Sequence, residues 1–469
     1  MSNKLVAVTV LFFLGGCTSI PHMEGDARVS HVSLQKVEME SPAFVRGNWP
    51  GLDWWKSFED QQLTDLITRG ISESPTLKKA QTRIAFAAEL AKVKRSFFFP
   101  TVGVEAQSNW MYYGKNSFFK SVDPTLPSYI DQIDVGPTLS YEFDFWGKNM
   151  HMFKSALGLK KMEEAELASS TLIVTTSIAG AYFTVQKDLA RKDLLQEIER
   201  LRCSFLHLTL QRRAQGVGTE MDNLRAKKRV EEIRSALAEN EKFIETDRYI
   251  VDSLMGQSPG TSSITFTSLG QESDFSLPEN IAIDLVARRP DLAAHIWRAE
   301  AAAHDVGAAK ADFYPNVDLN VFAGFESLHF GSLFSPNSYL YSILPAIHLP
   351  IFNAGRIRSN LRSKIAKFEE AIFSYNETLL KAAQEVADRI ACVKWVSIQI
   401  KIQNETVATL QSEVKLAESR LCHGLDTAME VIHVKEMLCS EQLKMIDLKE
   451  LLILAKVGLI KALGGGFNG

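Results

Sequence analysis

The chain repeats itself, and that constrains its fold more than any other feature. Pro75, Leu77, Arg83, Ala88 and Pro100 recur as Pro290, Leu292, Arg298, Ala303 and Pro315, an offset of 215 residues. Further on the offset settles at 208. Gly147 pairs with Gly355, Gly216 with Gly424, Thr219 with Thr427 and Gly256 with Gly464. Each copy holds an Ala-rich helical pattern that meets a Pro and changes period from 3.6 to 2. Length alone allows about three domains for 469 residues, but a repeat this long predicts one architecture built twice. The net charge of -4, with both signs interspersed, leaves no nucleic-acid footprint. The 46% apolar content only requires a large packed interior.

The N-terminus reads as a targeting segment. Lys4 precedes a ten-residue apolar run, Leu5 to Leu14, too short to span a bilayer as a helix. The run ends in Leu14-Gly15-Gly16-Cys17, which resembles a bacterial lipobox, so residues 1–16 are expected to be removed and Cys17 acylated. An ordinary secretory cleavage site beside an incidental Cys fits the same residues. Thr18 follows the Cys, and resemblance to lipoproteins then implies sorting to the outer membrane. Leu167 to Val185 also lacks charge over 19 residues, but its repeat copy, Tyr375 to Val393, carries Glu377, Lys381, Glu385, Asp388 and Arg389. Equivalent segments share an environment, so no membrane helix is expected there.

Four stretches alternate as strands: about 101–112, 134–146, 317–327 and 338–350. On one face of the first lie Val102, Val104, Ala106, Ser108, Trp110 and Tyr112; the other carries Gly103, Glu105, Gln107, Asn109 and Met111. The length suits a membrane-crossing strand, near ten residues, with aromatics towards the ends. A sheet packed on helices in water fits the alternation equally. Four strands cannot close a barrel, and open edges in hydrocarbon leave backbone groups unpaired. A membrane reading therefore needs further copies of the chain, and three copies supply twelve strands.

Two long helical runs follow the strand pairs, Lys148 to Gln215 and Arg356 to His423, each 68 residues or about 100 Å. In the second, Ile357, Leu361, Ile365, Phe368, Ile372, Tyr375, Leu379, Ala382 and Val386 form a coiled-coil-like seam. Both runs stop at a Gly turn, with Gly216 and Gly218 at one tip and Gly424 at the other, followed by Thr219 and Thr427 as caps. The returning helices are shorter and split. This divides the chain into an anchored N-terminal segment, 17–62, a first repeat, 63–280, and a second, 281–469. The irregular stretches 18–60, 256–280 and 464–469 are expected to meet as a belt.

Trp54-Trp55-Lys56-Ser57-Phe58-Glu59-Asp60, Tyr141-Glu142-Phe143-Asp144-Phe145-Trp146-Gly147-Lys148, Arg289-Pro290-Asp291 with Phe313-Tyr314-Pro315, and Leu349-Pro350-Ile351-Phe352-Asn353-Ala354-Gly355-Arg356 occur in that order. Together, within a twofold repeat covering nearly the whole chain, they resemble the TolC-like outer membrane factors, in their lipoprotein branch. The resemblance implies a mixed α+β membrane protein: a homotrimer with a twelve-stranded β-barrel continued by a periplasmic α-helical coiled-coil barrel. It implies the exit duct of a tripartite efflux pump, partnered by a periplasmic adaptor and an inner-membrane transporter of RND, MFS or ABC type. The duct of a type I protein secretion system and a non-transporting coiled-coil envelope lipoprotein are the alternatives. Pump type and cargo are not written in the residues.

The chain shows no catalytic constellation, no cofactor motif and no metal-ligand spacing; His295 and His304, nine apart, read as helix-face residues. Cys203, Cys392, Cys422 and Cys439 lie in helical runs and read as free thiols; a Cys203–Cys439 disulfide is the alternative, since the two lie at similar distances from their tips. Asp222 and Glu430 are repeat equivalents just past the turns, with Asp426 nearby. The resemblance implies that acids on this returning helix line the constricted periplasmic end, which makes the three gate candidates. Acids in a first helical turn also favour the helix dipole, with no gate required. The family's tip Tyr stands as Leu421, and the basic residue of some members as Asp426. Arg420, Arg212 and Arg213 remain as tethers for a closed state.

Overall fold

A computed structural model describes residues 28–29, 45–46, 49–267, 269, 276–277 and 288–468. The expected signal peptide, 1–16, and Cys17 lie outside the described residues. The helices are α1 (Gln61–Glu73), α2 (Pro75–Ser96), the short α3 (Phe118–Val122), α4 (Lys148–Ala214), α5 (Glu220–Met255), α6 (Pro290–Ala311), α7 (Arg356–Cys422) and α8 (Ala428–Ala462). The strands are β1 (Val45–Arg46), β2 (Thr101–Tyr112), β3 (Tyr129–Phe143), β4 (Ser276–Leu277), β5 (Asn316–Ser327) and β6 (Tyr339–His348).

The chain divides into two compact units that cut across the sequence repeats. Among the described residues, the first takes those of 85–162 and 296–374, the second those of 29–84, 163–295 and 375–468. The repeats at 63–280 and 281–469 are thus not separate bodies, because strands of one copy pair with strands of the other.

The first unit carries an antiparallel sheet in the order β2-β3-β5-β6. Register puts the apolar residues of all four strands on one face: Val102 opposite Leu139, Leu139 opposite Val321, Val321 opposite Ile343. The second strand departs from the expected 134–146. It starts at Tyr129, since Tyr129 and Ile133 keep the alternation upstream although Asp131 interrupts its apolar face. It ends at Phe143, because Phe145 N–H and Gly147 N–H turn back to the carbonyls of Phe143 and Asp144, with Gly147 at φ 73. The last strand likewise stops at His348, before Pro350. At the turn into α4, Asp144 accepts from Asn149 N and Met150 N, while Trp146 stacks on Tyr314 at 4.7 Å and donates to the Pro315 carbonyl at 2.7 Å. The two motifs flanking β3 and β5 are therefore one contact. Gly136 and Gly324 face each other across β3 and β5, and a Cβ on Gly324 would lie 2.3 Å from the Val135 carbonyl oxygen. Side chains there would force the strands apart.

The second unit holds the larger core. Trp54, Trp55 and Phe58 of a short 3-10 helix pack with Leu63, Ile67, Val174, Ile178, Tyr182, Phe183, Val251 and Met255. The uncharged stretch 167–185 is thus core, although its length and composition suit a membrane span. Asp60 caps α1 through Leu63 N at 3.1 Å and accepts the Tyr182 hydroxyl at 2.5 Å. The first helical run breaks in two at Ser74, because Pro75 has no N–H to continue α1. Arg289, buried, holds Asp291 at 2.7 Å, Glu385 at 2.9 Å and the Ala462 carbonyl at 3.0 Å, which accounts for its motif. Described parts of the three irregular segments meet here: β1 pairs with β4, and Gly466 packs on Gly51 so closely that a Cβ would lie 2.3 Å from its carbonyl carbon. The seam along α7 is buried at Ile357, Leu361 and Ile372 within the first unit and at Tyr375, Leu379, Ala382 and Val386 within the second.

Candidate functional site

Two surfaces carry the chemistry: the sheet faces of the first unit and the helix tips of the second. Among the described residues, nothing covers the apolar sheet face. Val104 is 80% exposed, Trp110 81% and Ile347 75%, which removes the alternative of a sheet packed on its own helices. Trp110, Tyr112, Tyr129, Tyr339 and Tyr341 crowd the loop end of this face, and Tyr141, Phe143 and Phe145 the helix end. Such paired aromatic girdles mark the two interfaces of a membrane-crossing sheet. The opposite face carries Glu105, Asp134, Glu142, Asp318 and Glu326, and none of the four strands contains Lys or Arg.

The tips are two copies of one turn. α4 ends with Gly216 at φ 75, Gly216 N–H on the Arg213 carbonyl and Val217 N–H on that of Arg212. α7 ends with Gly424 at φ 70 and the same bonds from Gly424 to Leu421 and from Leu425 to Arg420. This double closure needs a left-handed residue, hence Gly at both places. Gly218 serves differently: its Cβ would sit 3.1 Å from Arg213 N, so it permits close packing. Its repeat equivalent is Asp426, whose carboxylate accepts from Thr427 N at 2.9 Å and Arg420 Nε at 3.1 Å.

The three gate candidates differ in what their carboxylates do. Asp222 is committed to a capping box: it accepts the Thr219 hydroxyl at 2.6 Å and Thr219 N at 3.2 Å while Thr219 caps Asp222 N. The hydroxyl and then the backbone bond hold its pKa below the ordinary carboxylate value. Asp426 is tied to Arg420. Glu430, in contrast, donates only its backbone N–H to Thr427, and its exposed carboxylate has no partner among the described residues. Of the proposed tethers, Arg213 pairs with Glu220 and Arg420 with Asp426, both inside their own hairpin. Only Arg212 reaches the other hairpin, at Met429 Sδ, 3.2 Å away.

Sequence reading missed a buried tie between the hairpins. Glu436 of α8 is buried and accepts Arg202 Nε of α4 at 2.8 Å and Arg229 of α5. Arg202 also donates to the Arg229 carbonyl at 2.7 Å. Partners this far apart in sequence carry no spacing signal. The four described Cys are free, with Cys439 buried and Cys422 exposed. Burial, helped by Glu197 and Glu436, pushes the Cys439 thiol up. No group of three or more metal-ligating side chains occurs among the described residues.

An uncovered apolar sheet with an acidic reverse face, together with 67-residue helices that end in capped turns, defines an outer-membrane channel subunit. The family model for outer membrane efflux proteins matches residues 66–257 and 283–465, and the chain belongs to that family. It is 25% identical to the multidrug resistance outer membrane protein MdtP of Escherichia coli K12 over 90% of this chain and 87% of that protein. It is 27% identical to the antibiotic efflux pump outer membrane protein ArpC of Pseudomonas putida, over 100% and 96%. Among solved structures, VceC of Vibrio cholerae superposes with a TM-score of 0.79 at 29% identity, over 90% of this chain and all of that one. The protein is thus an outer-membrane efflux channel, and the family is one of ducts, not enzymes.

Proposed function

We propose that the chain is a trimeric exit duct that passes small molecules, drugs among them, from an inner-membrane transporter and periplasmic adaptor to the outside. The observation that carries this reading is the four-stranded sheet with an uncovered apolar face and two open edges, β2 and β6. Unpaired edges in hydrocarbon cost several kcal/mol per group, so neighbouring copies must pair with them. Exposed apolar stripes support the same assembly: Phe86, Leu90 and Val93 on α2, and Trp395, Ile398 and Ile402 on α7, keep helical spacing. In a closed barrel the apolar face meets lipid and the acidic face the water-filled lumen. Acylated Cys17 anchors each chain to the outer membrane, and the tips around Gly216, Gly218 and Gly424 form the periplasmic mouth. The names of MdtP and ArpC support drugs as cargo. Glu430, the uncommitted acid, is the gate residue of choice, ahead of Asp222 and Asp426.

Native mass measurement in detergent tests the assembly. A trimer that conducts ions in planar bilayers is expected; a stable monomer refutes the duct.

A further inference from the structure

An unexplained pairing lies in the first unit, where α4 passes α6. His151 Nδ1 and His304 Nδ1 face each other at 3.2 Å, with ring centroids 5.4 Å apart and planes tilted by 46°. The recess is built for the ring. Gly307 stands one turn from His304, and a Cβ there would lie 2.5 Å from His151 Nδ1. The two helices are held close nearby as well, since a Cβ on Gly158 would lie 3.1 Å from Ala301 Cβ. Both rings are half-buried.

Two readings of a facing Nδ1 pair exist. As a bare hydrogen bond, one imidazole must hold its proton on Nδ1 and the other on Nε2. As a chelate, both carry the proton on Nε2 and aim two lone pairs at one point. The geometry favours the second use: two metal–nitrogen bonds of about 2.0–2.1 Å at a tetrahedral angle separate the nitrogens by roughly 3.3–3.4 Å.

We propose that His151 and His304 form a binding site for a borderline divalent transition-metal ion, Zn2+ being the type, bridging α4 and α6. The two nitrogens occupy two positions, and water or an added ligand fills the others. Binding needs only a tautomer shift at the ring that held its proton on Nδ1, so neutral rings release no net proton. Burial, and after it His304 and Lys154, hold the His151 pKa below its ordinary value against the pull of Asp144. The bridged helices bear the paired strands β3 and β5, so the ion staples the wall of the first unit.

Cobalt titration of the full-length protein in detergent tests the site, with visible absorption as readout and Zn2+ as competitor. One equivalent per chain is expected to give tetrahedral cobalt bands that Zn2+ displaces. His151→Ala and His304→Ala each abolish them. Gly307→Ala retains both imidazoles but blocks the recess, and weakens Zn2+ binding by about tenfold or more; native mass and helical signal of each variant confirm folding. Absence of the bands in the parent overturns the proposal, as does their survival in the His151→Ala/His304→Ala double variant.

Discussion

Replacing Glu436 with Ala removes the carboxylate shared by Arg202 and Arg229 and leaves two guanidiniums facing each other. Breaking a fully buried pair costs about 3–5 kcal/mol. Here the side chains are 11%, 20% and 38% exposed for Glu436, Arg202 and Arg229, so water rescues part of the Arg229 charge. The expected cost is about 2–3 kcal/mol, below the fully buried range. A global melt is the wrong assay. With an unfolding entropy of about 2 cal/mol/K per residue, a chain of 469 residues shifts by only roughly 2–3 °C. The loss is local, because the triad joins α4, α5 and α8. Hydrogen exchange at the ends of these helices reads it directly, and a rise of roughly 30- to 150-fold follows from the same energy. Glu436→Gln keeps one acceptor and should lie between parent and Ala. Unchanged protection near Arg202, Arg229 and Glu436 in the Ala variant would refute the reading of this triad as a tie between hairpins.

Glu430→Gln should weaken cation preference and block by multivalent cations without loosening the trimer, since the carboxylate holds nothing among the described residues. Single-channel recording at matched salt checks this, and unaltered selectivity reduces Glu430 to a helix-start acid. Asp222 has a lowered folded pKa, so its stabilisation of the α5 start is present above the unfolded value and lost as pH falls through the folded one. Fraying of α5 near Glu220 should therefore increase on acidification in the parent and be flat with pH in Asp222→Asn, measured by amide exchange. For Cys17, intact mass of the mature chain should show an acylated N-terminal Cys; an unmodified start elsewhere removes the anchor.

Local signals fixed much of this protein in advance. The Gly turns at 216 and 424 were legible because only one residue type takes a left-handed exit without strain, and the Thr caps because their spacing to the next acid is short-range. The α7 seam and the strand alternation follow from periodicity, which each residue reports for itself. Strand ends were less legible: Asp131 broke the alternation inside β3, and the tight turn after Phe143 depends on hydrogen bonds that no pattern displays.

What the tertiary structure alone decided involves partners distant in sequence. Alternation left open whether the apolar sheet face meets helices or something else; only the exposure of Val104, Trp110 and Ile347 showed it uncovered. Asp222 and Glu430 are equivalent by repeat, yet one carboxylate folds back on Thr219 and the other has no partner among the described residues. Arg202–Glu436–Arg229 and His151–His304 arise where separate helices cross. Periodicity tells which face of an element is buried, but side-chain charge and lone pairs find their partners only once the helices have packed.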